Sequence, residues 1–245
     1  MIPLLGKKQA KADLRTKLFE DYYTGLPVLK DSVDWGKLVP EWGMMLNDKI
    51  GDCTCAGAGH LIMDWSSNAN KLVTPSDHDI LKAYEDVSGY NPANPRSDNG
   101  AAELDVLNYW RNTGIAGHKI LAFVQVNVKN VNHVKAAIQL FGGVYAGVQL
   151  PVSAQGKSEW VMPQLGMPQD VIPGSWGGHA IPIVAFDEKQ CTCITWGQRL
   201  QMDWLFWLTY MEECWSIVTE DFIAANGMSP SGFNLQALMD DLKAL

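Results

Sequence analysis

Apolar positions along the chain change their period near its middle. From Asp52 onward, Ala58, Leu61, Ile62 and Trp65 recur at the spacing of one buried helical face. Asp52 is a residue type that caps helix starts, so Cys53 falls in the first turn of that helix. A second helix is predicted over residues 76–87 behind a Ser-x-x-Asp cap, and a third over 101–112, ending before Gly114. Between them, residues 88–100 form a loop rich in Asn, Pro and Gly. The period then shortens. Residues 120–128 read as a strand, Val131–Phe141 as a helix, and Val144, Ala146, Val148 and Leu150 alternate as on a strand. After a Gly- and Pro-punctuated loop over 151–178, two apolar runs (180–186 and 191–196) flank Asp187-Glu-Lys and predict an antiparallel pair. His179 stands at the mouth of that pair. Leu205, Leu208, Met211 and Trp215 predict a helix after Asp203. Leu235, Leu238, Leu242 and Leu245 predict a terminal amphipathic helix behind a Gly-Met-Ser-Pro linker. Residues 1–30 are charged and loosely patterned, with a short helical stretch at 11–23 and a turn at Gly25-Leu-Pro27, and read as an arm.

Composition narrows the classes. A chain of 245 residues that is 47% hydrophobic and 19% charged is long enough to bury a sizeable core. Its net charge of −8, with no cluster of Lys or Arg, argues against a nucleic-acid partner. The N-terminal apolar run is too short for a signal peptide, and its charges follow the apolar residues rather than precede them. No window holds the apolar run of a membrane span, so a cytoplasmic protein without a membrane partner is expected. Five cysteines, an odd number, favour free thiols over a disulfide framework.

A thiol attacks a carbonyl carbon only as the thiolate, and a helix N-terminus or a neighbouring imidazolium lowers its pKa. Cys53 is placed for the first. His179 is the candidate for the second, although only a fold can bring it across the intervening 126 residues. A Cys near a helix start is otherwise a small core residue.

The order of the elements and several short motifs resemble the papain-like cysteine peptidases. Their segment "VDWR…G.VTPVKNQG.CGSCWAF" is similar to Ser32-Val-Asp-Trp-Gly36, then Val39-Pro40 and Asn47-Asp-Lys-Ile-Gly-Asp-Cys53. Pro75-Ser-Asp-His-Asp-Ile-Leu81 is similar to "LSEQELVDC". Asp98-Asn-Gly-Ala-Ala followed by Trp110-Arg-Asn-Thr-Gly-Ile115 resembles "CNGG…A..Y...NGGI". Val134-Lys-Ala-Ala-Ile with Gly143-Val-Tyr-Ala-Gly-Val148 resembles "A....GPVSVAI". Gly178-His179-Ala-Ile-Pro-Ile-Val-Ala-Phe-Asp resembles "HAV.VVGYG", and Ile194-Thr-Trp-Gly197 resembles "KNSWG". The resemblance spans residues 31–222 and implies an α+β fold, with a helical lobe over 45–118, an antiparallel β lobe over 119–222 and an active-site cleft between them. It leaves 1–30 as an arm and 223–245 as a linker and terminal helix.

By that resemblance Cys53 is the nucleophile of a cysteine peptidase or amide hydrolase and His179 its base. Asn47, six residues before Cys53, stands where the family has its oxyanion-hole Gln. Trp196 and Gly178 flank the cleft, the substrate is a peptide or protein, and no cofactor is implied. The departures fall at functional positions. Asn47 is one methylene shorter than Gln, and Thr54 replaces a Trp. The family's His-orienting Asn aligns with Ile194, or with Thr195 if one residue is missing. No cleavable inhibitory prosegment is expected ahead of the fold. The resemblance also admits a weak or inactive peptide-binding module that assembles through its cleft or terminal helix, by self-association or with a partner.

Other readings of the same residues are weaker. Cys53-Thr-Cys55 and Cys191-Thr-Cys193 would have to converge to form a thiolate zinc site, and their spacing is shorter than structural zinc sites use. Asp52-Cys53-Thr54 echoes the Asp-Cys-Ser-Gly of cell-wall peptidases, whose Cys-to-His interval is much shorter. His60 reads as a packing residue; His78, His118 and His133 read as surface residues. Asp98 and Glu103 read as solvated, without chemistry.

Overall fold

A computed structural model describes residues 4–22, 27–163 and 168–222. Residues 25 and 26 of the expected turn, the terminal amphipathic helix and any docking through it lie outside the described residues.

The fold is α+β. Strand β1 (Val33–Asp34) precedes three helices, α1 (Cys53–Asn68), α2 (Asp77–Ser88) and α3 (Glu103–Asn112). Then come β2 (Ile120–Gln125), α4 (Val131–Phe141), β3 (Val144–Leu150), β4 (Glu159–Trp160), β5 (Gly177–Phe186), β6 (Gln190–Thr195), β7 (Gln198–Asp203), α5 (Trp204–Tyr210) and β8 (Met211–Thr219). Seven strands lie in the order β2-β8-β3-β5-β6-β7-β4, with β1 paired beside β5. All pairings are antiparallel except the short β4–β7 contact.

Local chemistry accounts for most boundaries. Ser76 and Asp79 close the capping box of α2, and Gly89 ends that helix in the left-handed region at φ 75°. Asn130 caps α4 by accepting from the His133 amide. Asp203 accepts from the Phe206 amide and starts α5.

Two expectations are corrected, and one strand went unpredicted. The helix predicted after Asp203 stops at Tyr210, and Met211–Thr219 is instead a strand between β2 and β3. Its apolar residues fit a helical face, but this segment sits mid-sheet, where both of its edges find main-chain partners, and that outweighs the local pattern. The stretch at 11–23 contributes only a 3-10 turn over Phe19–Tyr22. β7 went unseen because Gln198-Arg-Leu-Gln-Met-Asp buries only Leu200 and Met202.

Helix α1 is the central packing element, buried over residues 53–67. One core cluster joins it to α2, α3 and residues of β3, β5, β6 and β8; a second packs α4 and α5 against strands that include β3, β5, β6 and β7. Among the described residues no helix is long and apolar enough to cross a membrane.

Candidate active site

Cys53 is the first residue of α1, where the leading amides have no intrahelical acceptor. The Asp52 carboxylate does not cap them; it accepts from Asn47 Nδ2 at 3.1 Å. Asn47 is itself buried, and the same nitrogen also reaches the Ile50 carbonyl at 3.4 Å. Its amide is therefore engaged with the helix start rather than held free beside the sulfur. Burial, opposed by the Asn47 bond, pushes the Asp52 carboxyl well above its ordinary value.

His179 lies near the start of β5, opposite Val148 of β3. Its Nε2 and the Thr195 hydroxyl at the end of β6 are 2.8 Å apart, and its Nδ1 has no hydrogen-bond partner. Direct alignment with Trp196-Gly197 puts Ile194 at the orienting position, but the side chain that reaches the imidazole is Thr195; Ile194 is buried in the core. Trp196 stacks on the imidazole with ring centroids 4.5 Å apart and planes 13° apart, and Trp176 stacks on Trp196 in turn. That stack requires Trp196 to take φ 45°, a left-handed conformation that bulky residues rarely adopt and that tertiary contacts must maintain.

The two elements that carry Cys53 and His179, α1 and β5, pack directly on each other. The Cys53 thiol receives backbone hydrogen bonds from Ala180, the residue after His179, and from Gly6. Such bonds lower a thiol's pKa only when N–H groups point at the sulfur, yet burial wins and pushes Cys53 up to about 12. Burial likewise pulls His179 down to about 3. Both groups are neutral in this arrangement, so the helix start does not deliver the lowered thiol pKa expected from the sequence.

The arm adds to this burial, because it lies in the cleft instead of trailing from the body. The Lys7 amide donates to Gly178 O (3.1 Å), the Lys8 amide to Ala101 O (2.9 Å) and the Ala101 amide to Gly6 O (2.9 Å), a parallel pairing. The seat is built for backbone. A Cβ on Gly6 would lie 1.7 Å from Gly51 O, and one on Gly178 would lie 2.4 Å from Lys7 O. Gly6 turns its N–H to the sulfur and its carbonyl oxygen to the Ala101 amide. The arm thus plugs the cleft with its main chain.

The side chain of Lys7 enters an acidic pocket that sequence reasoning missed. Glu103, read as a solvated first-turn residue, is fully buried, because α3 turns its start toward β3 and β8. Asp98, also read as solvated, accepts from the Tyr84 hydroxyl and from the Gly51 amide at 2.9 Å, tying the loop before Cys53 to the loop before α3. His118 is part-buried against Asp221, with 2.5 Å between Nδ1 and the carboxylate. His60 is buried and bonds Gly43 O through Nε2 at 3.1 Å. The two Cys-x-Cys pairs do not converge: Cys53 and Cys55 sit in one core cluster, Cys191 and Cys193 in the other. Among the described residues no group of three or more His, Cys, Asp or Glu gathers to hold a metal.

Comparison with solved structures bears on the fold. Xylellain, a cysteine protease from Xylella fastidiosa, superposes with a TM-score of 0.67 at 16% identity, over 89% of this chain and 96% of its own. The fold is papain-like. The Carica candamarcensis cysteine protease CMS1MS2, solved with E-64, matches with a TM-score of 0.57 at 13% identity, over 78% of this chain and 99% of its own. ProCathepsin B S9 from Trypanosoma congolense gives 0.59 at 12% identity, covering 89% and 87%. No protein-family model matches the chain. No curated protein matches it in sequence.

Proposed function

We propose that the chain is a thiol-dependent peptidase or amide hydrolase, with Cys53 as nucleophile and His179 as its proton acceptor and donor. One observation carries the reading: a helix-leading cysteine lies against the residue next to a histidine whose Nε2 is bonded to Thr195 and whose Nδ1 is left over. With the arm withdrawn, Nδ1 takes the thiol proton and the sulfur attacks a peptide carbonyl carbon. The oxyanion forms beside the unpaired amides that open α1, the Cys53 N–H among them. Asn47 joins them if its amide turns from Ile50 O. The imidazolium then protonates the departing amine, leaving a thioester on Cys53. Water, deprotonated by Nδ1, cleaves that thioester and regenerates the thiol. Thr195 positions the ring, and Trp196 excludes water from its face.

A second reading, a cleft that binds peptides without cutting them, draws support from the Asn47 amide, which is already spent on Asp52 and Ile50. Digestion of a peptide library decides between them. The hydrolase reading expects products from the arm-displaced variant Gly6→Ala that vanish when Cys53→Ala is added. Identical product profiles with and without Cys53 would sink it.

A further inference from the structure

We infer that Glu103, Glu212 and Glu213 form a selectivity pocket of the cleft that accepts a lysine or arginine side chain of a bound peptide, with Lys7 of the arm as its resident occupant. What the peptide is there for rests on the proposed hydrolase; the pocket rests on its own geometry.

The Lys7 side chain is fully buried, with Nζ 2.5 Å from Glu212 Oε2, 2.7 Å from Glu213 Oε1 and 3.1 Å from Lys8 O. The acids are placed by the body of the fold, not by the arm. Glu103 comes from the start of α3, and Glu212 and Glu213 come from β8. Trp215 Nε1 donates to Glu213 at 3.0 Å, and Gln149 Nε2 of β3 donates to Glu212 at 2.7 Å. Neither oxygen of Glu103, a residue with no exposed surface, has a hydrogen-bond partner, so it faces the pocket unsatisfied.

Room for the incoming stem comes from Gly147 of β3. A Cβ there would lie 2.0 Å from Lys7 Cε and 2.9 Å from Glu103 Oε1, so any side chain would close the channel. Buried carboxylates are costly unless a cation pairs with them. Burial by itself pulls the Lys7 ammonium's pKa down, but the fields of Glu103 and Glu213 and the bonds to Glu212 and Glu213 outweigh it, so the ammonium stays charged. Burial raises the Glu103 pKa and repulsion from Glu213 raises it further, while Lys7 opposes both. The cation that relieves this cluster arrives on a peptide strand held otherwise by main-chain bonds at Gly178 and Ala101, which any sequence can make. The buried contact that selects for charge is the pocket. When the arm leaves, the same carboxylates stand open to a basic side chain on whatever peptide takes its place.

The test reads iodoacetamide labelling of Cys53 in the full-length chain. In the variant Lys7→Ala, an acetylated, amidated peptide of residues 4–11 is added, or the same peptide with norleucine, an uncharged lysine mimic, in the place of Lys7. The lysine peptide protects Cys53 at roughly tenfold lower concentration or better, and adding Glu213→Gln abolishes that preference. Equal protection by the two peptides overturns the pocket. A series that needs no added peptide covers the case in which Lys7→Ala does not fold. Lys7→Arg keeps labelling slow, whereas Lys7→Met, similar in bulk but uncharged, speeds it about tenfold or more. A methionine that holds the arm as well as lysine overturns the inference. Failure of the hydrolase gives a different result, because protection by the lysine peptide without any cleavage supports the pocket and removes the enzyme. Cleavage with no enrichment of Lys or Arg at any one position does the reverse.

Discussion

Replacing Gly6 by alanine is expected to uncover the Cys53 thiol. In the native arrangement Cys53 is 1% exposed and burial pushes it from 9.0 to about 12. An electrophile can therefore react only in the fraction of molecules whose arm has lifted. Three main-chain hydrogen bonds hold the arm at Gly178 and Ala101. At about 1 kcal/mol net each, they seat it by about 3 kcal/mol before Lys7 is counted. That limits the open fraction to roughly one molecule in 150 and slows labelling by the same factor. An alanine Cβ at residue 6 would stand 1.7 Å from Gly51 O, a main-chain atom that cannot swing aside, so the arm must leave. Gly6→Ala should then speed iodoacetamide labelling of Cys53 by roughly 10- to 100-fold near neutral pH. Pulse labelling followed by peptide mapping measures this, with the buried Cys191, Cys193 and Cys214 as internal controls. A Cys53 rate within about threefold of wild type would refute the plug. So would all five thiols rising together, since that reports unfolding and not an opened cleft.

Two further outcomes follow from the buried polar groups. Thr195→Val keeps the shape but strands His179 Nε2, so urea unfolding should show a loss of about 1–3 kcal/mol that Thr195→Ser recovers; an unchanged midpoint in the valine variant would show that this 2.8 Å contact contributes nothing. Burial pulls His60 from 6.5 down to about 4, so its neutral ring stabilises the fold fully above pH 6.5 and progressively less as pH falls toward 4. At pH 5 the loss is about 2 kcal/mol. Asp52, Asp64 and Glu103, whose pKa values burial raises, pull the opposite way, becoming more destabilising as pH rises. The difference between wild type and His60→Gln isolates the histidine, and a difference flat between pH 7 and 5 would contradict its burial as a neutral ring.

By itself, the sequence determined the elements whose signals are local. The capping box of α2, the full extent of α4 and the hairpin that carries His179 are set by caps, turns and periodicity within a few residues, and α1 by the apolar face that follows Cys53, since Asp52 does not cap it. The papain-like order of elements was legible through the short motifs that resemble that family. What only the tertiary structure decided depends on partners far along the chain. Residues 211–219 became a strand because a sheet offered both edges, and Glu103 became buried because α3 points its first turn at β8. Thr195 rather than Ile194 met His179 because strand register sets which side chain faces the ring. Above all, nothing local marked residues 4–8 as the occupant of the cleft. The arm has no periodicity of its own; it is ordered by Gly178, Ala101 and three carboxylates that lie about 90 to 210 residues away in sequence. Backbone hydrogen bonds and a buried charge specify a segment by what surrounds it, and that environment exists only after the rest of the chain has folded.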